Sequence, residues 1–209
     1  MILTEKQERG LKEILTRYKN GEKYVVIAGH AGSGKTTLVK FAIEALEVDP
    51  EDVVYAAYTG KAAEVLRKKG NKNAMTLHKL LYKFFMEDGY FRKVPKAEIG
   101  YKVVVIDEIS MVTKDMIDLL FSHDCFVICL GDAFQLPPVS KKESNDLLDN
   151  PHVFLDEIMR QAKESEIIRL SMDLREMKPL TLFSGKEVQV MNKKDLTNQD
   201  TNITMGRIK

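Results

Sequence analysis

The 209-residue sequence predicts an α/β fold in which a parallel β-sheet carries helices on both faces and a small inserted β-hairpin. Three observations carry this. Short apolar runs rich in β-branched residues recur at 24–28 (YVVIA), 53–57, 103–106 and 126–130. Segments with helical spacing separate them, and strands joined through helices run parallel. One stretch, 84–94 (FFMEDGYFRKV), breaks the alternation with aromatic arms around Asp88-Gly89, a dipeptide suited to a tight hairpin turn.

The elements follow in order. Thr4 and Gln7 form a capping-box pair ahead of the helical spacing Leu11, Ile14, Leu15, Tyr18, and Gly21 stops that helix. The buried strand 24–28 runs into a glycine-rich turn and a helix over 36–46. Strand 53–57 is followed by a helix over 61–69, and strand 103–106 by a helix over 114–121 that leads to strand 126–130. The hairpin occupies 82–98, as a connection or as a functional insertion. After Pro179 the pattern weakens, and 192–209 is polar with little periodicity. The expected division is therefore a first domain over 1–178 with the 82–98 hairpin inside it. Residues 179–209 are then the start of a truncated second domain or a disordered tail.

Composition narrows the function. Hydrophobic residues at 44% and charged ones at 30% are ordinary for a globular chain with a core. No apolar run reaches membrane-spanning length, and MILTEKQERG lacks the apolar core of a secretion signal. A soluble, intracellular (cytoplasmic) protein without a membrane partner is expected, acting as a monomer. The net charge of +1 gives no chain-wide basic field, so any nucleic-acid contact must be local. Cys125 and Cys129 sit in an apolar run with no further ligand at zinc spacing, and read as buried reduced thiols.

The chemistry starts at Gly29-His30-Ala31-Gly32-Ser33-Gly34-Lys35-Thr36, which fits G-x-x-x-x-G-K-[ST] without deviation. A polyphosphate needs many donors converging on it. Gly29, Gly32 and Gly34 let the backbone curl so that N–H groups of Ala31, Ser33 and the next helix, through Thr37, face its oxygens. Lys35 places a cation on the outer phosphates, and the Thr36 hydroxyl ligates magnesium. The partner site is the apolar strand ending in Asp107-Glu108. Asp107 there holds magnesium through water, and Glu108 orients or deprotonates the attacking water. ATP and magnesium are the implied ligands.

Kinases, GTPases, recombinases and helicases share these two motifs. What separates them is 130–139 (LGDAFQLPPV), where Gln135 lies five residues beyond a strand end and Pro137-Pro138 stiffen the exit. An amide there can sense the γ-phosphate while the stiff segment carries the movement elsewhere.

At this point the sequence resembles the superfamily 1 DNA helicases, in particular the RecD/Dda-like 5′-to-3′ branch, from about Leu3 to Ser165. GDxxQLPP is that family's third helicase motif. The resemblance implies a RecA-like P-loop fold and a role for each further motif: Gln7 in LTEKQ reading adenine, Thr59 and Lys61 in AYTGKAA, and Thr76 and His78 in TLH, contacting single-stranded DNA. Arg160 in LDEIMRQ is implied to reach the γ-phosphate, and the hairpin falls where the family carries its wedge, or pin. Tyr90 and Phe91 are candidates for stacking on bases there, and Pro137 and Pro138 for lying against DNA. Each has a plainer alternative. Gln7 can complete the helix cap, Thr59 can be an N-cap, Arg160 a surface ion-pair partner, His78 a structural histidine, and the aromatics mere packing.

The resemblance also has a gap. The family has two RecA-like lobes, and nothing in 179–209 resembles the motifs of the second, which supplies a further arginine to ATP. The expectation is the motor lobe of an ATP-dependent helicase that acts on single strands and forks in the complete enzyme. By itself the chain should bind nucleotide weakly and unwind nothing. The alternative is a nucleotide-dependent DNA-binding module without productive turnover, while a nucleoside kinase is disfavoured by GDAFQLPP.

Overall fold

The computed structural model describes residues 3–132, 144–157, 165–175, 178–179, 183–186 and 188–190. They belong to two units, Met1–Glu157 and Ile158–Lys209. The first contains α1 (Glu5–Lys19), β1 (Tyr24–Gly29), α2 (Lys35–Ala45), β2 (Val53–Ala57), α3 (Gly60–Lys68), β3 (Met75–Thr76) and α4 (Leu77–Leu81). It continues with β4 (Tyr82–Glu87), β5 (Tyr90–Pro95), β6 (Val103–Asp107), α5 (Lys114–Phe121), β7 (Phe126–Gly131) and β8 (Val153–Leu155). Among the described residues of the second unit are α6 (Glu166–Arg175) and the antiparallel pair β9 (Phe183–Ser184) and β10 (Gln189–Val190).

The main sheet has the order β3-β2-β6-β7-β1-β8 and every pairing in it is parallel. The predicted fold class is borne out, with two additions. The sequence patterning yields four strands, whereas β3 and β8 flank them as strands of two and three residues, too short to show a period. Alternate side chains of each strand enter opposite layers, as a period of two requires. Val25, Ile27, Val105, Ile128 and Leu130 pack with Ile14 of α1 and Leu38, Val39 and Ala42 of α2. Val26, Val54, Val104, Ile106, Val127 and Cys129 pack on the other side with Leu77, Leu80 and Leu81 of α4 and with Ile117 and Leu120 of α5. Both faces are covered, which is why the strands read as continuous apolar runs. Cys125 and Cys129 are buried free thiols, and burial drives the Cys125 thiol up to about 11.

Helix α1 starts where its capping box sets it. The Gln7 N–H donates to Thr4 Oγ1 at 3.3 Å, and Gln7 Oε1 accepts from the Thr4 N–H at 3.0 Å. The hairpin β4–β5 turns on Asp88 and Gly89, both left-handed with φ of 51° and 77°, the conformation of a two-residue type I′ turn.

Register decides where the site lies. Ala28 pairs with Gly131, Ile106 with Cys129, and Ala57 with Asp107, so β1, β7, β6 and β2 all finish at one edge of the sheet. The connection from β1 to β2 crosses over β7 and β6, which makes this edge a topological switch point.

Candidate functional site

At the β1 end, Gly32 and Gly34 adopt φ of 78° and 84° and turn the chain into α2. Residues with a Cβ rarely adopt this backbone, hence glycine. Gly34 is the N-cap of α2 and offers no side chain to the first turn, so the N–H groups of Lys35, Thr36 and Thr37 have no side-chain cap. That is the electrostatic arrangement for an anion. Gly29 has a second reason to be glycine: an added Cβ would stand 2.5 Å from the Leu155 carbonyl oxygen and 2.7 Å from Ser33 Oγ. Lys35 Nζ donates to the carbonyls of Gly29 (2.6 Å) and His30 (3.0 Å), holding its charge over the loop. Thr36 is exposed and Thr37 half-buried, while Ser33 is buried with its hydroxyl unpartnered among the described residues. Gln7 Nε2 donates to the Gly34 carbonyl at 3.4 Å, so the capping glutamine also touches the loop.

Asp107 closes β6, one strand beyond β7 from the loop. Glu108 follows in the left-handed region, φ 59° and ψ 49°, its N–H donating to Asp107 Oδ1 at 3.1 Å. A non-glycine residue held there costs of order 1–3 kcal/mol, and such strain clusters at functional positions. Burial, with the Asp107 charge second, pushes the Glu108 carboxyl above the usual carboxylate range, the direction a general base requires. Among the described residues no group of three or more His, Cys, Asp or Glu is placed to hold a metal ion. The residues present fit a cation that arrives with phosphate oxygens and waters and takes few protein ligands, as magnesium does. Thr36 and Asp107 are the side chains available to it.

Thr59 follows β2 and Thr76 closes β3 at the same edge of the sheet. Thr59 caps α3 by accepting the Ala62 N–H at 3.2 Å, and Thr76 caps α4 by accepting the Lys79 N–H at 3.2 Å. Lys61 is exposed in the first turn of α3. His78 lies between the rings of Tyr58 and Tyr82, at 5.8 and 6.1 Å, and is held below the usual histidine range by burial and then by Lys93. Tyr90 and Phe91 are 70% and 69% exposed but emerge on opposite faces of the hairpin. Phe91 stacks on Phe84 at 5.6 Å, and Lys93 caps the Tyr82 ring at 4.2 Å. Gln135, Pro137, Pro138 and Arg160 lie outside the described residues.

Two residues escape the sequence reading. Asp132 is a carboxylate only 2% exposed at the β7 end, and His30 of the loop approaches it, Nδ1 to Oδ1, at 4.0 Å. The available signal was the Gly131-Asp132 step closing a buried strand.

A glycine loop between strand and helix, with Asp-Glu two strands away across a switch point, defines a P-loop nucleotide-binding domain of RecA-like architecture. Residues 2–198 match the family described as an AAA domain, and the chain belongs to that family. It is similar to the ATP-dependent DNA helicase dda of Enterobacteria phage T4, 33% identical over 150 residues, covering 68% of this chain and 34% of the relative. It is also similar to the ATP-dependent RecD2 DNA helicase of Deinococcus radiodurans, 32% identical over 163 residues, covering 74% and 22%. A solved structure of DNA unwinding at forked double-stranded DNA by two coordinating Pif1 helicases aligns with a TM-score of 0.58 at 30% identity, covering 87% of this chain and 50% of that one. Pif1 from Bacteroides sp in complex with ADP-AlF4 aligns at 0.53 and 28%, covering 87% and 48%. The resemblance to the first motor half of superfamily 1 helicases is borne out. The chain spans about a third or less of these curated relatives and about half of the solved ones. Among the described residues no helix is long and apolar enough to cross a membrane.

Proposed function

We propose that this chain is the ATP-binding motor lobe of a DNA helicase. The observation that carries the reading is the loop itself: an uncapped helix N-terminus, two left-handed glycines and the Lys35 ammonium converge at one strand end. Lys35 and the loop N–H groups bind the phosphates, with Gln7 at the adenine end. Thr36 and Asp107 hold the magnesium, which neutralises charge on the phosphates. Glu108 accepts the proton of the attacking water, and its raised carboxyl makes it a competent base. Gln135 and Arg160 complete the site at the γ-phosphate. Thr59, Lys61, Thr76, His78, Phe91, Pro137 and Pro138 line the path of a single strand, with Tyr90 on the hairpin's other face.

In the complete enzyme the cycle drives 5′-to-3′ translocation and the hairpin divides the duplex. Residues 1–178 make up the first lobe and 82–98 its pin. An arginine from the second lobe accelerates ATP turnover, since a missing arginine finger costs ~10³-fold or more.

The test is ATP binding and ATP turnover with and without a single-stranded oligonucleotide. Binding together with DNA-stimulated turnover supports the reading. Binding that DNA modulates without turnover supports the non-hydrolysing module instead. A chain that binds neither ATP nor single strands is not a motor lobe.

A further inference from the structure

His30 occupies a position in the phosphate loop where the motif asks for no particular side chain, yet its peptide and its ring face different parts of the protein. The His30 carbonyl accepts the Ser33 N–H at 3.2 Å and Lys35 Nζ at 3.0 Å. Its ring stands edge-on to Phe154, 6.1 Å between centroids, with Nδ1 4.0 Å from Asp132 Oδ1. Asp156, held below the usual carboxylate range mainly by Lys6, also lies near the His30 ring.

Asp132 cannot yield easily. It is 2% exposed, and a buried carboxylate needs a donor or cation close by. Side chains pack closely on the backbone before it: at Gly131 an added Cβ would stand 2.6 Å from Leu148 Cδ2 and 2.8 Å from Ile109 Cγ2. The loop, in contrast, must change when a polyphosphate arrives. An ammonium has three protons to donate, and Lys35 now gives one each to Gly29 and His30. Contacts to two phosphate oxygens therefore withdraw at least one of those protons from the loop carbonyls, and the peptide whose side chain faces Asp132 is one of the two affected.

We propose that His30 is a positioning residue that transmits phosphate occupancy of the loop to Asp132, and so to the segment that begins at residue 133. This rests on the loop being a nucleotide site. The chain has four histidines, so ring 15N spectra of histidine-labelled protein are simple to assign with His30→Asn. The probe is inorganic tripolyphosphate with magnesium, which has no base or ribose to shift the ring directly.

In the parent, saturating probe should move the His30 ring signals. In Asp132→Asn the movement should fall to less than half, with tripolyphosphate affinity within about threefold of the parent, as for a substitution that removes no direct contact. A probe that binds the parent and leaves the His30 ring unmoved overturns the inference while leaving the phosphate loop intact. An undiminished movement in Asp132→Asn also overturns it. Failure of the parent to bind the probe removes the nucleotide reading and the inference together.

His30→Asn supplies a second measurement should Asp132→Asn fail to fold. Single-strand affinity is measured with and without a non-hydrolysable ATP analogue. The parent should change at least about fivefold, the lower end of ordinary allosteric coupling, and the variant should scarcely change. A variant that keeps the parental change rules His30 out as the transmitter.

Discussion

Lys35 Nζ lies 2.6 Å from the carbonyl oxygen of Gly29, so the loop's cation is anchored to the loop it serves. Two consequences separate binding from folding. Lys35→Ala removes a charged donor to phosphate, and hydrogen bonds to charged groups contribute about 1.5–3 kcal/mol. ATP affinity should fall by roughly 10- to 150-fold on that account. Fold stability should fall only modestly, because the buried Gly29 carbonyl loses a donor while water can replace the amine at the half-buried His30 carbonyl. Fluorescent-analogue titration and thermal melting of the same sample check both. Undiminished analogue binding in the variant would remove the phosphate-loop assignment.

Gly29→Ala tests the same loop from the steric side. The new Cβ would stand 2.5 Å from the Leu155 carbonyl oxygen, and that oxygen belongs to a paired strand. Backbone cannot swing away as a side-chain tip does. Overpacking of this kind costs about 1–3 kcal/mol. A lower melting temperature together with weaker nucleotide binding is expected. A variant as stable as the parent would mean that β8 sits further from β1 than described.

Acid sensitivity should come from His152. Its Nδ1 accepts the Val26 N–H at 2.9 Å, continuing the pairing of β8 with β1 through a side chain. Burial, then Arg17, hold its pKa below the usual histidine value, against Glu13 and Glu22, which favour the charged form. Tyr24 packs against its ring. A histidine harder to protonate in the folded state than in the unfolded one costs nothing above the unfolded value. Stability is then lost as pH falls from that value towards the folded one. The melting temperature of the parent should fall between about pH 7 and pH 5, while His152→Gln, lacking this titration, starts lower and changes less. Parallel pH profiles for the two proteins would assign the acid sensitivity elsewhere.

The legibility of the sequence followed the length and the chemistry of each element. The four central strands were readable because both of their faces are buried, which demands runs such as Val103 to Ile106. Strands β3 and β8 were not, since two or three residues carry no period and owe their pairing to neighbours. The loop from Gly29 to Thr36 was readable because phosphate geometry constrains residue type at fixed spacing. Contacts made by residue types with many uses were harder. Gln7 was read both as a cap and as an adenine contact, and it sits where it serves the cap and touches Gly34. Thr59 and Thr76 were read as DNA contacts, yet each hydroxyl also accepts a helix N–H. The pairing of His30 with Asp132 spans about a hundred residues and follows from the strand order, which no local pattern encodes.

The hairpin gives the most discriminating prediction, because adjacent aromatics that look equivalent in sequence differ in direction. Phe91 shares a face with Phe84, Tyr82 and Lys93, and through Tyr82 that face continues to His78 and Tyr58 beside the sheet edge. Tyr90 points the other way, across from Glu87. If a single strand passes the edge where α3 and α4 begin, its bases can reach the first face and not the second. Stacking a base on an aromatic ring contributes about 1–3 kcal/mol, so Phe91→Ala should weaken single-strand affinity by roughly 5- to 150-fold. Tyr90→Ala should leave it nearly unchanged, since an exposed ring on the far side loses only its own packing. Both variants should keep ATP affinity, because the hairpin lies outside the phosphate loop. Anisotropy titrations of a labelled oligonucleotide at fixed salt read the difference, and the salt must be held constant because phosphate contacts respond strongly to it. Equal losses in the two variants would mean that the hairpin acts through its stability rather than through one face. A larger loss for Tyr90→Ala would place the strand on the opposite side of the hairpin from His78, and the proposed path along the sheet edge would have to be abandoned.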